Sequence, residues 1–138
     1  DFVAGSRLEA EAAGTDGNDT VDGGTGRDTL FGGLGSDLFV FARGSSTSGL
    51  RDTILDFQPG FDRIDLSGYD GTLTFIGYDV LLTGTRPEVA IFISSATNTT
   101  NLVVNYGSQF GGSPGGFFDE FIILSGIFPN LTAANFFL

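Results

Sequence analysis

Large apolar side chains near the start of the chain recur at intervals of nine: Val21, Leu30 and Phe39 hold the same place in three consecutive units. These are Gly14-Thr-Asp-Gly-Asn-Asp-Thr-Val-Asp22, Gly23-Gly-Thr-Gly-Arg-Asp-Thr-Leu-Phe31 and Gly32-Gly-Leu-Gly-Ser-Asp-Leu-Phe-Val40. Each has Gly at its first and fourth positions, Asp at the sixth and an apolar residue at the eighth. A period of nine is neither the alternation of a half-buried strand nor the 3.6 repeat of a helix, and internal repeats of this kind mark stacked units. Eight Gly in these 27 residues exclude a helix or a long strand. The spacing predicts a six-residue turn followed by a three-residue strand whose central side chain points inward. Two units, 18 residues, then close one coil with two short strands. Turns stack every second unit, which sets Asp19 beside Asp37 and puts Asp28 on the opposite edge.

Beyond Val40 the period is lost. Residues 41–49 read as a polar loop, followed by short strands at Thr53–Phe57 and Arg63–Leu66 around a Pro59-Gly60 turn. Further strands are expected at Thr72–Ile76, Asp79–Thr83, Val89–Ser94, Asn101–Tyr106 and Phe117–Leu124, divided by Gly, Pro and Asn turn signals. Residues 131–136 carry the one helical signal, a single turn capped by Thr132 or Asn130. Val21, Leu30, Phe39 and Phe41 are core candidates. The late phenylalanines (Phe110, Phe117, Phe118, Phe121, Phe128, Phe136 and Phe137) fit the packing of a β-sandwich-like cap on the open end of the stacked coils better than an exposed aromatic docking surface.

Composition narrows the chemistry. The 138 residues suit one domain, and 41% hydrophobic residues with 15 Phe are enough for a core. The chain has no His and no Cys, which removes imidazole acid–base catalysis, thiol nucleophiles, zinc clusters, haem ligation and disulfides. Only oxygen ligands remain for a metal, favouring calcium or magnesium. With 17 acidic residues against 6 scattered Arg and a net charge of −11, nucleic acid is not an expected partner. No apolar run approaches the ~20 residues of a membrane-spanning helix. The chain begins without Met and without a signal peptide, so it reads as a fragment or a processed piece of a longer protein.

The repeated aspartates are the sharpest chemical feature. Strands stack ~4.8 Å apart, where two bare carboxylates repel by up to ~3.5 kcal/mol at an effective dielectric of ~20. A cation between them reverses that sign, and carboxylates with carbonyl oxygens from glycine-rich turns make the hard oxygen shell that calcium prefers. Asp19, Asp28 and Asp37 are therefore the leading ligand candidates. The turn glycines Gly14, Gly17, Gly23, Gly24, Gly26, Gly32, Gly33 and Gly35 supply geometry and carbonyl oxygens. Asp16, in the first turn, is either a further contact or a solvated turn residue. The coil partner of Asp28 falls near residue 46 in the polar loop, so a later acid must complete that edge, and Asp52 is the nearest. Asp56, Asp62 and Asp65 rank lower, as turn caps or as partners of Arg51 and Arg63. Every well-placed carboxylate pair belongs to the repeat, so catalysis within this chain has no support.

The three nonapeptides resemble the G-G-x-G-x-D-x-U-x repeat of the RTX (repeats-in-toxin) calcium-binding β-roll, with Thr15 replacing the second Gly of the first unit. Residues 52–67, D-x-I-x-D-F-x-x-G-x-D-x-I-D-L-S, look like the segment that closes the roll in the C-terminal domains of serralysin-type metalloproteases. The resemblance implies an all-β chain: a right-handed parallel β-roll over 14–67, a degenerate or capping turn over 1–13, and a β-sandwich-like cap over 68–138. It implies calcium as cofactor and a secreted, extracellular or surface location on a bacterial protein. The end, Leu-Thr-Ala-Ala-Asn-Phe-Phe-Leu138, resembles the uncleaved C-terminal signal read by type I secretion machinery, with Asn135 where an acid is usual. Two roles follow from these expectations: a calcium-folded structural module of a larger exported protein, or an adhesion, glycan-binding or assembly module built on the same scaffold.

Overall fold

The structure is a computed structural model that describes residues 2–4, 11–47, 49–68, 73–83, 85–106 and 119–138. Short strands alternate between two sheets. Strands β1 (Phe2–Ala4), β3 (Thr20–Asp22), β5 (Leu38–Ala42), β7 (Arg63–Gly68) and β12 (Phe136–Phe137) form the first sheet, in that order and parallel throughout. Strands β2 (Glu11–Ala13), β4 (Thr29–Phe31), β6 (Asp52–Ile54), β11 (Glu120–Ser125), β10 (Thr99–Asn105), β9 (Glu88–Ser94) and β8 (Thr74–Tyr78) form the second. Consecutive strands of the roll thus lie in opposite sheets, the arrangement a nine-residue unit dictates.

Register shows how the repeat becomes a core. Val3, Val21, Phe39, Ile64 and Phe136 are aligned across the first sheet, and Ala12, Leu30, Ile54 and Leu124 across the second. Val21, Leu30 and Phe39 are fully buried, and Phe41 is 1% exposed. The step from Val21 to Phe39 is the expected single coil, but the next coil carries the insertion that begins after Val40. Aligned pairs across it, such as Asp28 with Asp52 and Asp37 with Asp62, are 24 and 25 residues apart. Strands β1 and β2 stack on β3 and β4 in the same parallel sense, ahead of the first complete nonapeptide.

The cap continues the second sheet. Strand β11 pairs parallel with β6 and antiparallel with β10, so the roll's sheet runs into the antiparallel strands without a break. Expected strands and observed ones agree in place with small shifts of boundary, with one correction. Residues 79–83 form a loop, because Asp79 takes a positive φ of 52° that ends β8 and leaves Leu81 84% exposed. The segment 131–136 contains a 3-10 turn, Ala133–Asn135, whose N-terminus is capped by the Thr132 hydroxyl. Of the late phenylalanines, Phe136 is buried, Phe128 packs edge-on to Phe57 at 5.8 Å, and Phe137 is exposed. Phe110, Phe117 and Phe118 lie outside the described residues. The Tyr78 hydroxyl ties the C-terminal segment to β8 by accepting from the Leu131 N–H at 2.6 Å and donating to the Phe128 carbonyl at 2.8 Å.

Candidate metal centre

Each coil turns just before a strand, and each turn ends on an aspartate two residues ahead of the inward side chain. Stacked turns therefore stack their aspartates. On the first edge the Asp19 N–H donates to Asp37 Oδ1 at 2.9 Å, and the Asp37 N–H donates to Asp62 Oδ1 at 3.0 Å. On the opposite edge the Asp28 N–H donates to Asp52 Oδ1 at 2.8 Å. All five aspartates are 3% exposed or less, so two acidic ladders are buried along the sides of the roll.

The fate of the second carboxylate oxygen separates the ends of the first ladder from its middle. Asp19 Oδ2 accepts from the Thr15 N–H, and Asp62 Oδ2 from the Gln58 N–H, each at 2.7 Å. Asp37 Oδ2 and Asp52 Oδ2 are buried with no hydrogen-bond partner. Leaving such an oxygen unsatisfied costs ~1–3 kcal/mol, and more when it is charged. Glycine makes room around these groups: a Cβ at Gly32 would overlap Asp37 Oδ2. At Gly35 a side chain would meet the Gly17 carbonyl, and φ is +141°, so only glycine lets the two turns approach this closely.

These features fit a hard cation. Orphaned carboxylate oxygens and crowded turn carbonyls such as those of Thr15, Gly17 and Gly32 form an all-oxygen donor set. Among the described residues no three acidic side chains converge on one point. A shell of 6–8 oxygens at either edge would therefore draw mostly on backbone carbonyls, the role that glycine-rich turns can fill. Asp16, by contrast, is exposed, in a backbone bridge with Leu34. Asp56 closes the turn below by accepting from the Gly32 and Gly33 N–H groups, both at 2.9 Å. Asp65 caps its own strand through Ser67.

Asp62 is the rung that counting along the repeat passed over. Its signal is in the sequence all the same: Asp19-Thr-Val21, Asp28-Thr-Leu30, Asp37-Leu-Phe39, Asp52-Thr-Ile54 and Asp62-Arg-Ile64 share the form aspartate, any residue, buried apolar residue. The insertion hides this by breaking the spacing, not the pattern.

The family described as Peptidase M10 serralysin C terminal matches residues 10–122. The chain belongs to that family. Among solved structures, this serralysin C-terminal domain is similar to the AlgE6R3 subunit of the Azotobacter vinelandii mannuronan C5-epimerase, with 26% identity and a TM-score of 0.58. That match covers 99% of this chain and 78% of the other. The AlgE6R2 subunit of the same enzyme matches with 24% identity and a TM-score of 0.58, covering 96% and 87%, and shares the fold. Two acidic ladders in a parallel roll are thus set in the serralysin C-terminal framework.

Electrostatics in the ladders have a measurable consequence for this domain without metal. Burial pushes the Asp52 carboxyl up to about 7, opposed by the hydrogen bond from the Asp28 N–H and the neighbouring Ser46 side chain and reinforced by the charges of Asp28 and Glu120. Burial likewise raises Asp37 and Asp62. Between the ordinary value of 3.8 and about 7, folded Asp52 keeps a proton that the unfolded chain has released. Stability of the metal-free protein therefore falls as pH rises through that window. In excess chelator the residual β signal is expected to be weaker at about pH 7.5 than at about pH 5. A residual signal that grows across this interval contradicts the buried, protonated rung.

Proposed function

We propose that this chain is a non-catalytic calcium-binding β-roll module that folds when its acidic edges take up calcium. The observation that carries the reading is the pair of buried, partnerless oxygens on Asp37 and Asp52, each beside a neighbouring rung of its ladder. Asp19, Asp28, Asp37, Asp52 and Asp62 supply carboxylates, and the turns over 14–17, 23–26 and 32–35 supply carbonyls. Calcium would cancel the repulsion between rungs and satisfy the orphaned oxygens. In a low-calcium cytosol the ladders repel and the glycine turns carry a high ordering entropy, so the chain stays unfolded. Outside the cell, millimolar calcium saturates sites of extracellular-module affinity.

Membership of the serralysin C-terminal family supports a role within a larger secreted protein, with export by type I machinery acting on the C-terminal residues. No helix among the described residues is long and apolar enough to cross a membrane. A scaffold for adhesion, glycan binding or assembly gains less support. Arg43, Arg51 and Arg63 stack singly over Tyr106, Phe121 and Phe137, scattered positions that do not build a basic track for a polyanion.

Circular dichroism and a urea titration, run in chelator and then in millimolar calcium, test the coupling. At about pH 7.5 the β signal and a cooperative unfolding transition should appear with calcium and be largely lost in chelator. Each site held at ten times its dissociation constant adds ~1.4 kcal/mol. A β spectrum and unfolding midpoint indifferent to chelation would overturn the reading.

A further inference from the structure

We infer that Glu120, a residue of the cap, is a positioning residue for the Asp28/Asp52 edge alone. It sets that edge's calcium affinity while the Asp19/Asp37/Asp62 edge is independent of it. This rests on the calcium reading above and goes beyond it by dividing the two edges.

The two ladders end differently. On the first edge the last rung is closed within its own turn: the Asp62 N–H donates to the Gln58 carbonyl at 2.9 Å, and Asp62 Oδ2 accepts from the Gln58 N–H at 2.7 Å. Among the described residues the second edge has no such turn. Where its next nonapeptide would lie, the polar insertion supplies Ser46, whose Oγ accepts the Asp52 N–H at 2.8 Å. A neutral hydroxyl thus receives the N–H that a carboxylate receives at Asp19, Asp28 and Asp37.

Ser46 is held there by the cap. It is fully buried, and its N–H donates to Glu120 Oε2 at 2.9 Å across 74 residues of chain. Its hydroxyl donates to the Phe121 carbonyl at 2.8 Å, and the Phe121 N–H returns to the Ser46 carbonyl at 2.7 Å. Glu120, also fully buried, accepts in addition from the Gly44 N–H and the Tyr106 hydroxyl on its other oxygen. Both carboxylate oxygens of Glu120 are therefore taken up by this loop and by Tyr106, and among the described residues by nothing on the first edge. An unbroken chain of hydrogen bonds results, from Glu120 through Ser46 and Asp52 to Asp28. Outer partners that orient a metal's ligands typically carry a ~10–100-fold share of its affinity. Glu120 and Ser46 stand in that relation to Asp52, whose Oδ2 is buried without a hydrogen-bond partner.

The test is a calcium titration of the 15N-labelled full chain, read separately at the two edges through the Gly24 and Gly26 amides and the Gly17 and Gly35 amides. In Glu120→Gln the side-chain NH2 opposes N–H or O–H donors, so the loop is released. The midpoint at Gly24 and Gly26 should rise by ~10-fold or more, with less than a ~2-fold change at Gly17 and Gly35. Ser46→Ala leaves the backbone donor to Glu120 but removes the hydroxyl, and should give the same edge-selective loss. The double variant should then be no weaker than the worse single one, because both cut one chain. If Glu120→Gln does not fold even in calcium, Ser46→Ala decides. An equal shift at both edges, which general destabilisation would produce, or no shift at Gly24 and Gly26, overturns the inference. Wild-type amides that ignore calcium altogether would instead bring down the calcium reading, and this inference with it.

Discussion

Asp37→Asn is expected to raise the calcium concentration needed to fold the module by at least ~100-fold, since loss of a charged ligand should exceed the ~10–100-fold typical of outer partners. Asp37 is the middle rung of its ladder: its Oδ1 takes the Asp19 N–H, its own N–H goes to Asp62, and its Oδ2 is buried without a partner. It therefore borders the spaces between turns on both sides. The substitution keeps the Oδ1 acceptor and the size of the side chain but removes the charge. Metal-free and metal-bound states should consequently move in opposite directions. In chelator, Asp37→Asn relieves the repulsion from Asp19 and Asp56 that, after burial, raises this carboxyl, so residual structure should be retained or increased. In calcium the same change should be the more damaging of the two conditions. Calorimetric titration with parallel circular dichroism measures both. A variant that loses stability equally with and without calcium would reduce Asp37 to a structural turn residue.

Phe39→Ala should cost ~3–5 kcal/mol in saturating calcium, the range for removing a fully buried ring whose site collapses poorly. Phe39 is wholly buried, aligned between Val21 and Ile64 in the first sheet, with its ring centroid 6.3 Å from that of Phe57. Phe57 in turn packs against Phe128 of the C-terminal segment, so the void opens where roll and cap meet. With total stabilities of ~5–15 kcal/mol, such a loss leaves the module close to unfolding at physiological calcium. Phe39→Leu leaves a smaller void and should lose less than half as much. Urea unfolding at saturating calcium separates these outcomes, because metal binding is then complete and the difference reports the core. A loss below ~1 kcal/mol for the alanine variant would mean that the coil closes around the gap, contrary to the rigid column of short strands.

The roll was legible because its information is local. Glycine at the first and fourth positions, aspartate at the sixth and an apolar residue at the eighth specify a turn and a strand within nine residues, and repetition then aligns equal positions. That reasoning placed Val21, Leu30 and Phe39 in the core and set Asp37 beside Asp19. It failed where distance along the chain ceased to measure distance in space. Spacing alone did not reach Asp62, since the insertion after Val40 lengthens its coil to 25 residues. A strand was expected at 79–83 because its composition allows one, yet Asp79 turns the chain out of the sheet.

The sequence by itself determined the coil, its inward column and the two rows of acids, because each of these is a property of one short unit copied several times. Only the tertiary structure decided how the rows end: the first within the Gln58–Asp62 turn, the second through Ser46 on a glutamate 74 residues further along. No short-range pattern marks Glu120 as the partner of that loop. Its role exists only once β11 has paired with β6, where burial of Leu124 beside Ile54 offsets the entropy of closing a long loop.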